Sequence, residues 1–312
     1  MRKLRGRLAL AVATTAVMSA CSYSDTKVPE YKEPEAAKPS PAACTTTDDD
    51  LRSYDPSRDG GAAVSRIRKA GVLKVGVSGD TLLLGSRNPT TNKIEGFDIT
   101  IAQRIADELG VDLQTRVITA DDRIKLLQSH EIDLVARNMT INCDRWSKIA
   151  FSAEYYRAGQ KVLVRSNKAY GGPEDLNGLR VCAPKGTTSL VNVQDQADKA
   201  GVKITLNPAN NHTGCLVKFQ QGQVDAITGD DTVLAGLVAQ DKLYAKVPEQ
   251  AAFSREPYGI GANSDDKDLV QFVNAVLEEM RSDGSWQQAY DRWLRASLDD
   301  VDPAPFRPAY DR

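Results

Sequence analysis

The residues of this 312-residue chain that could do chemistry are few in kind. Asp230 and Asp231 follow an apolar run, 224–228, and Asp231 suits the cap of a helix beginning at Thr232. Arg137 interrupts another apolar stretch, 132–136, near its carboxyl end. A lone cation there wants an anion, either a ligand carboxylate or a protein acid such as Asp144. Thr187 and Thr188 begin a helical pattern, where main-chain N–H groups and hydroxyls favour an anion. The two histidines, His130 and His212, lie in polar connecting segments, and no nucleophile elbow, phosphate loop or metal signature is visible. Cys44, Cys143, Cys182 and Cys215 are all more than five residues apart, so the close pairs of structural zinc sites are missing. This inventory points to recognition of a small charged molecule, with no cofactor and no metal.

Those side chains must be positioned by a chain that, from Val72 onward, alternates short β-branched runs with helical patterns. Residues 72–77 read as a strand, and 97–109 as a helix with Ile101, Ile105 and Leu109 on one face. Strands at 111–118 and 132–136 flank a short helix around 124–127, and another helix starts at 144–149. The rhythm restarts after Gln160, with strands at 161–165, 179–183, 203–206 and 224–228 and helices at 189–200 and 214–221. Two amphipathic helices, 269–280 and 286–294, close the pattern around Gly284. Such βαβ alternation predicts the α/β class, mainly parallel sheets flanked by helices, with ligand-facing residues at the carboxyl ends of strands. The spacing predicts one lobe inserted in another.

Composition narrows the class further. Lys plus Arg number 40 against 42 Asp plus Glu, so no basic stripe exists for phosphate contacts and nucleic acid is not an expected partner. Arg2, Lys3, Arg5 and Arg7 precede an apolar stretch, 8–17, too short to span a bilayer, and Ser19-Ala20 leads into Cys21. Residues 1–20 therefore read as an export signal. Met18-Ser19-Ala20-Cys21 resembles the lipobox of bacterial lipoproteins, in which the cysteine thiol carries diacylglycerol. The expectation is a lipid anchor at Cys21 on the extracellular face of the cell membrane. Loss of the signal's basic residues leaves a more acidic body, and the four remaining cysteines make two disulfides the default in an exported protein. Residues 21–58, with Pro29, Pro34, Pro39, Pro41 and Pro56, have the composition of a tether.

Six segments in order resemble the amino-acid-binding family of bacterial extracellular solute-binding proteins, the receptors of ABC importers. They are Gly96-Phe-Asp-Ile-Thr-Ile101, Asn138-Met-Thr-Ile-Asn-Cys-Asp-Arg145 with Phe151-Ser152, Lys185-Gly-Thr-Thr-Ser189, Val224-Asp-Ala-Ile-Thr-Gly-Asp-Asp231, Tyr258-Gly-Ile-Gly261, and Asp283-Gly-Ser-Trp286 through Trp293. Thr100 stands where an acidic residue is usual. The likeness is greatest to lipoproteins of high-GC Gram-positive bacteria thought to bind glutamate, aspartate or glutamine. It implies a type II periplasmic-binding-protein-like fold of two α/β lobes, joined by crossover strands near 164–167 and 256–259 and closing on one amino acid. Lobe one would be 59–164 plus 257–300, lobe two 166–255, and 301–312 a C-terminal tail.

The resemblance also assigns roles. Arg145, with Thr140 and Asn138 of the same segment, would grip the α-carboxylate, for which a guanidinium fork is well shaped. Asp230 would pair with the α-ammonium, and Asp80, Thr187 and Thr188 would add contacts. Arg137 and Lys185 are candidates for the ligand's side-chain end, with Arg87 and Arg123 as weaker ones. Several cations and no extra acid in this set favour an acidic amino acid, with glutamine or asparagine next. Cys182 and Cys215 both fall in lobe two and are paired with each other, which leaves Cys44 with Cys143. The implied partner is an ABC permease and the implied state a monomer. A sensor reporting to a membrane signalling protein has the same binding chemistry. An enzyme on this scaffold, a dehydratase or murein-cleaving enzyme, would need a cleft acid or base that the sequence does not single out.

Overall fold

The protein is described by a computed structural model covering residues 46–298 and 308–312. The signal segment, Cys21 and Cys44 lie outside the described residues. In chain order the strands are β1 Val72–Val77, β2 Asp80–Thr81, β3 Gly85–Arg87, β4 Ile94–Glu95, β5 Asp112–Val117, β6 Leu134–Val135, β7 Ala150–Phe151, β8 Tyr156–Arg165, β9 Arg180–Cys182, β10 Thr205–Leu206, β11 Ala226–Asp230, β12 Ala245–Lys246, β13 Ser254–Tyr258 and β14 Gly261–Ala262. The helices are α1 Ala62–Ala70, α2 Phe97–Leu109, α3 Arg123–Gln128, α4 Cys143–Trp146, α5 Thr188–Ala200, α6 His212–Gln220, α7 Asp231–Gln240, α8 Lys267–Ser282 and α9 Ser285–Trp293.

Two larger sheets result, ordered β5-β1-β6-β14-β7 and β10-β9-β11-β8-β12, with β13 also on β8. The βαβ parts are parallel, as the alternation of patterns implies: β1 with β5 and β6, and β9 with β10 and β11. Each sheet is then extended by antiparallel strands, β14 in the first and β8 in the second. These two are entered from the other lobe without a helical crossover, so the rule that makes βαβ neighbours parallel does not act on them.

The expected crossover at 164–167 lies too late in the chain. Val162 and Leu163 already sit opposite Thr228 and Ile227 inside the second sheet, and the segments passing between sheets are the first half of β8 and its antiparallel partner β13. Residues 156–160 lack the continuous apolar run that marks 161–165, because their side chains alternate between buried and partly exposed. The expected second crossover, 256–259, overlaps β13.

The first lobe's core gathers Val64, Leu73, Val75, Ile101, Ile105, Phe272 and Val276 from α1, β1, α2 and α8. In the second lobe Leu163, Phe219, Ile227 and Leu234 pack together, and a Cys182–Cys215 disulfide ties β9 to α6, as paired from the sequence. Cys143 is disulfide-bonded as well. The tether reading has to be shortened: Leu51 is buried, the Ser53 hydroxyl donates to Phe151 O at 2.7 Å, and the Trp146 indole donates to Asp50 O at 2.6 Å. The end of the C-terminal tail returns to the same place, where Ser53 N–H donates to Ala309 O and the Arg312 guanidinium lies 3.9 Å from the Trp146 ring centroid. Buried apolar and aromatic contacts made at a distance, invisible in local composition, hold both segments to the body.

Candidate ligand-binding site

The Gly96-Phe97-Asp98 segment opens α2 and braces the loop that carries the site. Gly96 has φ of 144°, and a Cβ there would lie 2.3 Å from Leu84 O, so only glycine fits. Phe97 packs among Tyr155, Tyr156 and Trp286. Asp98, fully buried, accepts from Asn138 N–H at 2.8 Å and from the Tyr155 hydroxyl at 2.8 Å. Burial pushes its carboxyl up to about 6 against these two donors. The Asp98 bond holds Asn138 at a positive φ of 35° and so fixes the direction of 137–140 after β6. Thr100, unusual at its position, accepts from the Trp293 indole at 2.9 Å, joining α2 to α9.

Three buried arginines converge where the lobes meet. Arg145, on α4, donates to Thr140 O at 2.6 Å and to Gly186 O of the second lobe at 3.3 Å. From α3, Arg123 donates to Ala120 O at 2.8 Å, to Arg137 O at 3.3 Å and to the same Gly186 O at 2.9 Å. Arg137 gives its Nε–H to Ile118 O at 3.1 Å, and its Nη1 has no partner among the described residues. All these acceptors are main-chain carbonyls, and Asp144 is engaged by Lys148 at 2.8 Å, so it does not neutralise Arg137. Burial lowers the pKa of all three, and at Arg123 the charges of Arg145 and Arg137 lower it further. Buried like charges without carboxylate partners constitute a strong demand for an anion.

Opposing them is Asp230, at the carboxyl end of β11. Its Oδ2 accepts from the Tyr258 hydroxyl at 2.5 Å, while its buried Oδ1 has no partner among the described residues. Burial, then the nearby Glu256 charge, raises its pKa well above the usual carboxylate range. Asp231 begins α7 one residue earlier than the sequence pattern placed the helix, and its Oδ1 takes the Thr232 N–H at 2.7 Å. The N-cap position itself is therefore Asp230 and not Asp231 as the sequence suggested, and the Asp230 side chain makes no capping bond.

A cavity of about 1080 Å³ opens between the lobes, lined by Arg123, Thr140 and Arg145 from the first and Lys185, Thr187 and Thr188 from the second. Thr187 is the N-cap of α5, its hydroxyl accepting from Leu190 N–H and donating to Pro184 O. Thr140 and Thr188 each donate to Glu256 Oε2 at 2.7 Å. Asp80 lies on an adjoining cavity of about 450 Å³ and bridges to the second lobe, accepting from Thr213 N–H at 3.1 Å. Arg87 is not brought to the site: it is exposed on β3 and donates to Asn92 O at 2.8 Å.

Sequence reasoning missed Glu256, Tyr258, Asn192 and His212. Together with Asp48, Asp121 and Asp144, which line the same cavity, Glu256 overturns the expectation that the site holds no extra acid. Its four acceptor positions are filled, however, by Thr140, Thr188, Asn192 and Ser254, at 2.6–2.9 Å. The available signal was its place two residues before Tyr258 on a crossing strand, which puts both side chains on one face.

Comparison with known proteins matches residues 73–296 to the bacterial extracellular solute-binding proteins, family 3. The chain is 35% identical over 224 residues to the ABC transporter glutamine-binding protein GlnH of Bacillus subtilis, covering 70% of this chain and 80% of that protein. It is 34% identical over 231 residues to the glutamate-binding protein GluB of Corynebacterium glutamicum, covering 70% and 77%. Among solved structures, an ancestral arginine-binding protein bound to glutamine superposes with a TM-score of 0.67 at 34% identity, covering 72% of this chain and 98% of that one. With the two-lobe α/β fold, these matches show that the chain belongs to the bacterial extracellular solute-binding proteins of family 3.

Proposed function

We propose that this protein captures one free amino acid between its lobes, glutamate, aspartate or glutamine, and delivers it to an ABC permease while anchored to the membrane through a lipid on Cys21. The observation that carries the reading is the set of three buried guanidiniums, Arg123, Arg137 and Arg145, bonded among the described residues only to carbonyls and gathered with a buried carboxylate, Asp230, that has one oxygen unused by those residues. An amino acid supplies the matching charges on one carbon. Arg145, with Thr140, Asn138 and the α5 N-terminus at Thr187 and Thr188, receives the α-carboxylate, and Asp230 receives the α-ammonium. Arg137, with Arg123, Lys185 and Asp80 nearby, serves the side-chain end. The preference for acidic and amide ligands rests on these buried guanidiniums. The glutamine- and glutamate-binding names of the relatives agree with it. Those relatives are named as binding proteins, and we read this chain as a binding protein and not an enzyme.

Calorimetric titration of the chain from residue 22 onward, which keeps Cys44, with the twenty amino acids tests the reading. Glutamate, aspartate or glutamine should bind at micromolar or lower concentration, and Arg145→Ala should abolish it. Binding of none of the three, or undiminished binding by the variant, would overturn the assignment. Co-purification of the lipoprotein with a permease tests delivery, and a signalling protein in its place would favour the sensor role.

A further inference from the structure

Arg145 sits on α4, a helix of four residues, far below the length of about 12–15 at which a helix holds itself in water. Its first turn is capped, since Asn142 Oδ1 accepts from Arg145 N–H at 2.8 Å. The rest of its support comes from the two ends of the chain. Cys143 is disulfide-bonded, and its N–H donates to the Thr46 hydroxyl at 3.4 Å. Trp146 donates its indole N–H to Asp50 O at 2.6 Å, and its ring meets those of Tyr54 and Phe151 edge-on, with centroids 6.1 and 5.5 Å away. On the same ring lies the Arg312 guanidinium, 3.9 Å from the centroid. The two ends are joined to each other as well. Ser53 N–H donates to Ala309 O at 2.9 Å, Arg312 N–H to Ser53 O at 3.1 Å, and Arg52 Nη1–H to Tyr310 O at 3.1 Å.

Both ends lie outside residues 73–296, the part of the chain that matches the family, so membership does not account for them. The N-terminal one also reaches the ligand cavity, where Thr46, Asp48 and Leu51 line the same space as Arg145. Asp48 pairs with Arg255 at 2.9 Å, one residue before Glu256, whose Oε2 accepts from the Thr140 hydroxyl. Resting on the binding role proposed above, we infer that residues 46–54 and 308–312 form a clasp on Trp146 that positions the Arg145 guanidinium for the ligand's α-carboxylate, with Trp146 the positioning residue. The guanidinium is itself bonded to Thr140 O and Gly186 O, but its Cα rests on a single helical turn. That turn is tied to the body through Trp146, by way of Asp50 O and of Leu51, which packs in one cluster with Met139, Ile141 and Phe151. A guanidinium fork meets a carboxylate through two parallel bonds, so a small rotation of α4 breaks one of them.

The test is titration of the chain from residue 22 onward with L-glutamate, L-aspartate and L-glutamine, and with the α-amide of each, in the native protein, in Trp146→Ala, in Trp146→Phe and in a chain that ends at residue 307. All are read at a temperature where thermal melts show the ligand-free protein folded. Trp146→Ala should weaken the amino acid about ten-fold or more, the share of one charge-assisted hydrogen bond. The α-amide brings no anion to Arg145, and its affinity should stay within about two-fold of native. The chain ending at residue 307 should fall between native and Trp146→Ala, as should Trp146→Phe, which keeps an aromatic ring and loses the bond to Asp50 O. A merely structural role would lower the melting temperature and leave amino-acid affinity at its native value, which would overturn the inference with the binding role intact. Equal loss for the amino acid and its α-amide would overturn it too. Should Trp146→Ala not fold, native affinity in both other variants decides against the clasp. Binding of none of the three amino acids by the native protein removes the binding role itself, and the inference with it.

Discussion

Replacing Asp230 with asparagine should push ligand affinity and protein stability in opposite directions. The side chain is fully buried, one oxygen is held by Tyr258, and the other has no partner among the described residues. In the free protein the ionised carboxylate is costly, because burial and the Glu256 charge both oppose it. A carboxyl whose folded pKa is raised contributes stability below its unfolded pKa and loses that contribution as pH rises through the folded value. At neutral pH Asp230 therefore lowers stability, and Asp230→Asn, equal in size and still able to accept from Tyr258, should raise the melting temperature of the ligand-free protein and flatten its fall with rising pH. With an amino acid bound, the same carboxylate is paired with an ammonium, and truncating one partner of a buried charge pair costs about 2–5 kcal/mol. That corresponds to a loss of about thirty- to several thousand-fold in affinity. Calorimetric titration and thermal melts on one preparation measure both effects. A variant that binds within three-fold of native, or that melts lower than native without ligand, would refute the reasoning.

Three further outcomes follow from the same geometry. Asp98 contributes most below its ordinary value of 3.8 and loses that contribution as pH rises through about 6, so Asp98→Asn should lessen the fall in melting temperature across that interval; an unchanged pH profile would count against it. In Gly186→Ala the new Cβ would stand 2.7 Å from Asp121 Cα across the lobe contact, and strain of about 1–3 kcal/mol should weaken ligand binding about five- to 150-fold by titration. Affinity within two-fold of native would show that residues 121 and 186 do not approach on binding. Removing the Cys182–Cys215 bridge, which spans 33 positions, should cost about 3–4 kcal/mol in urea unfolding under oxidising conditions, and equal midpoints for native protein and Cys182→Ser/Cys215→Ser would contradict that.

Much of this protein was legible from local pattern. Helix α2 fell on the residues that its Ile101, Ile105 and Leu109 spacing marked, since a helix buries one stripe regardless of what it packs against. The Cys182–Cys215 pairing also came through, because both residues belong to one lobe. Arg145, Thr140 and Thr188, named from motifs whose order survives in the chain, line one cavity. The same logic misjudged Arg87, whose charge looks identical on paper to that of Arg123, although one is solvated on a hairpin and the other buried against Gly186.

What sequence alone determined is the set of elements and the chemical type of the site, because periodicity and residue identity are local properties. Tertiary structure decided which groups lack partners. Among the described residues, the unpartnered Nη1 of Arg137 and Nδ1 of His212, the filled carboxylate of Glu256 and the folding of residues 46–58 onto the body all depend on neighbours scores of positions away. Hydrogen-bond satisfaction and burial are sums over three-dimensional surroundings, and no one-dimensional window contains those terms.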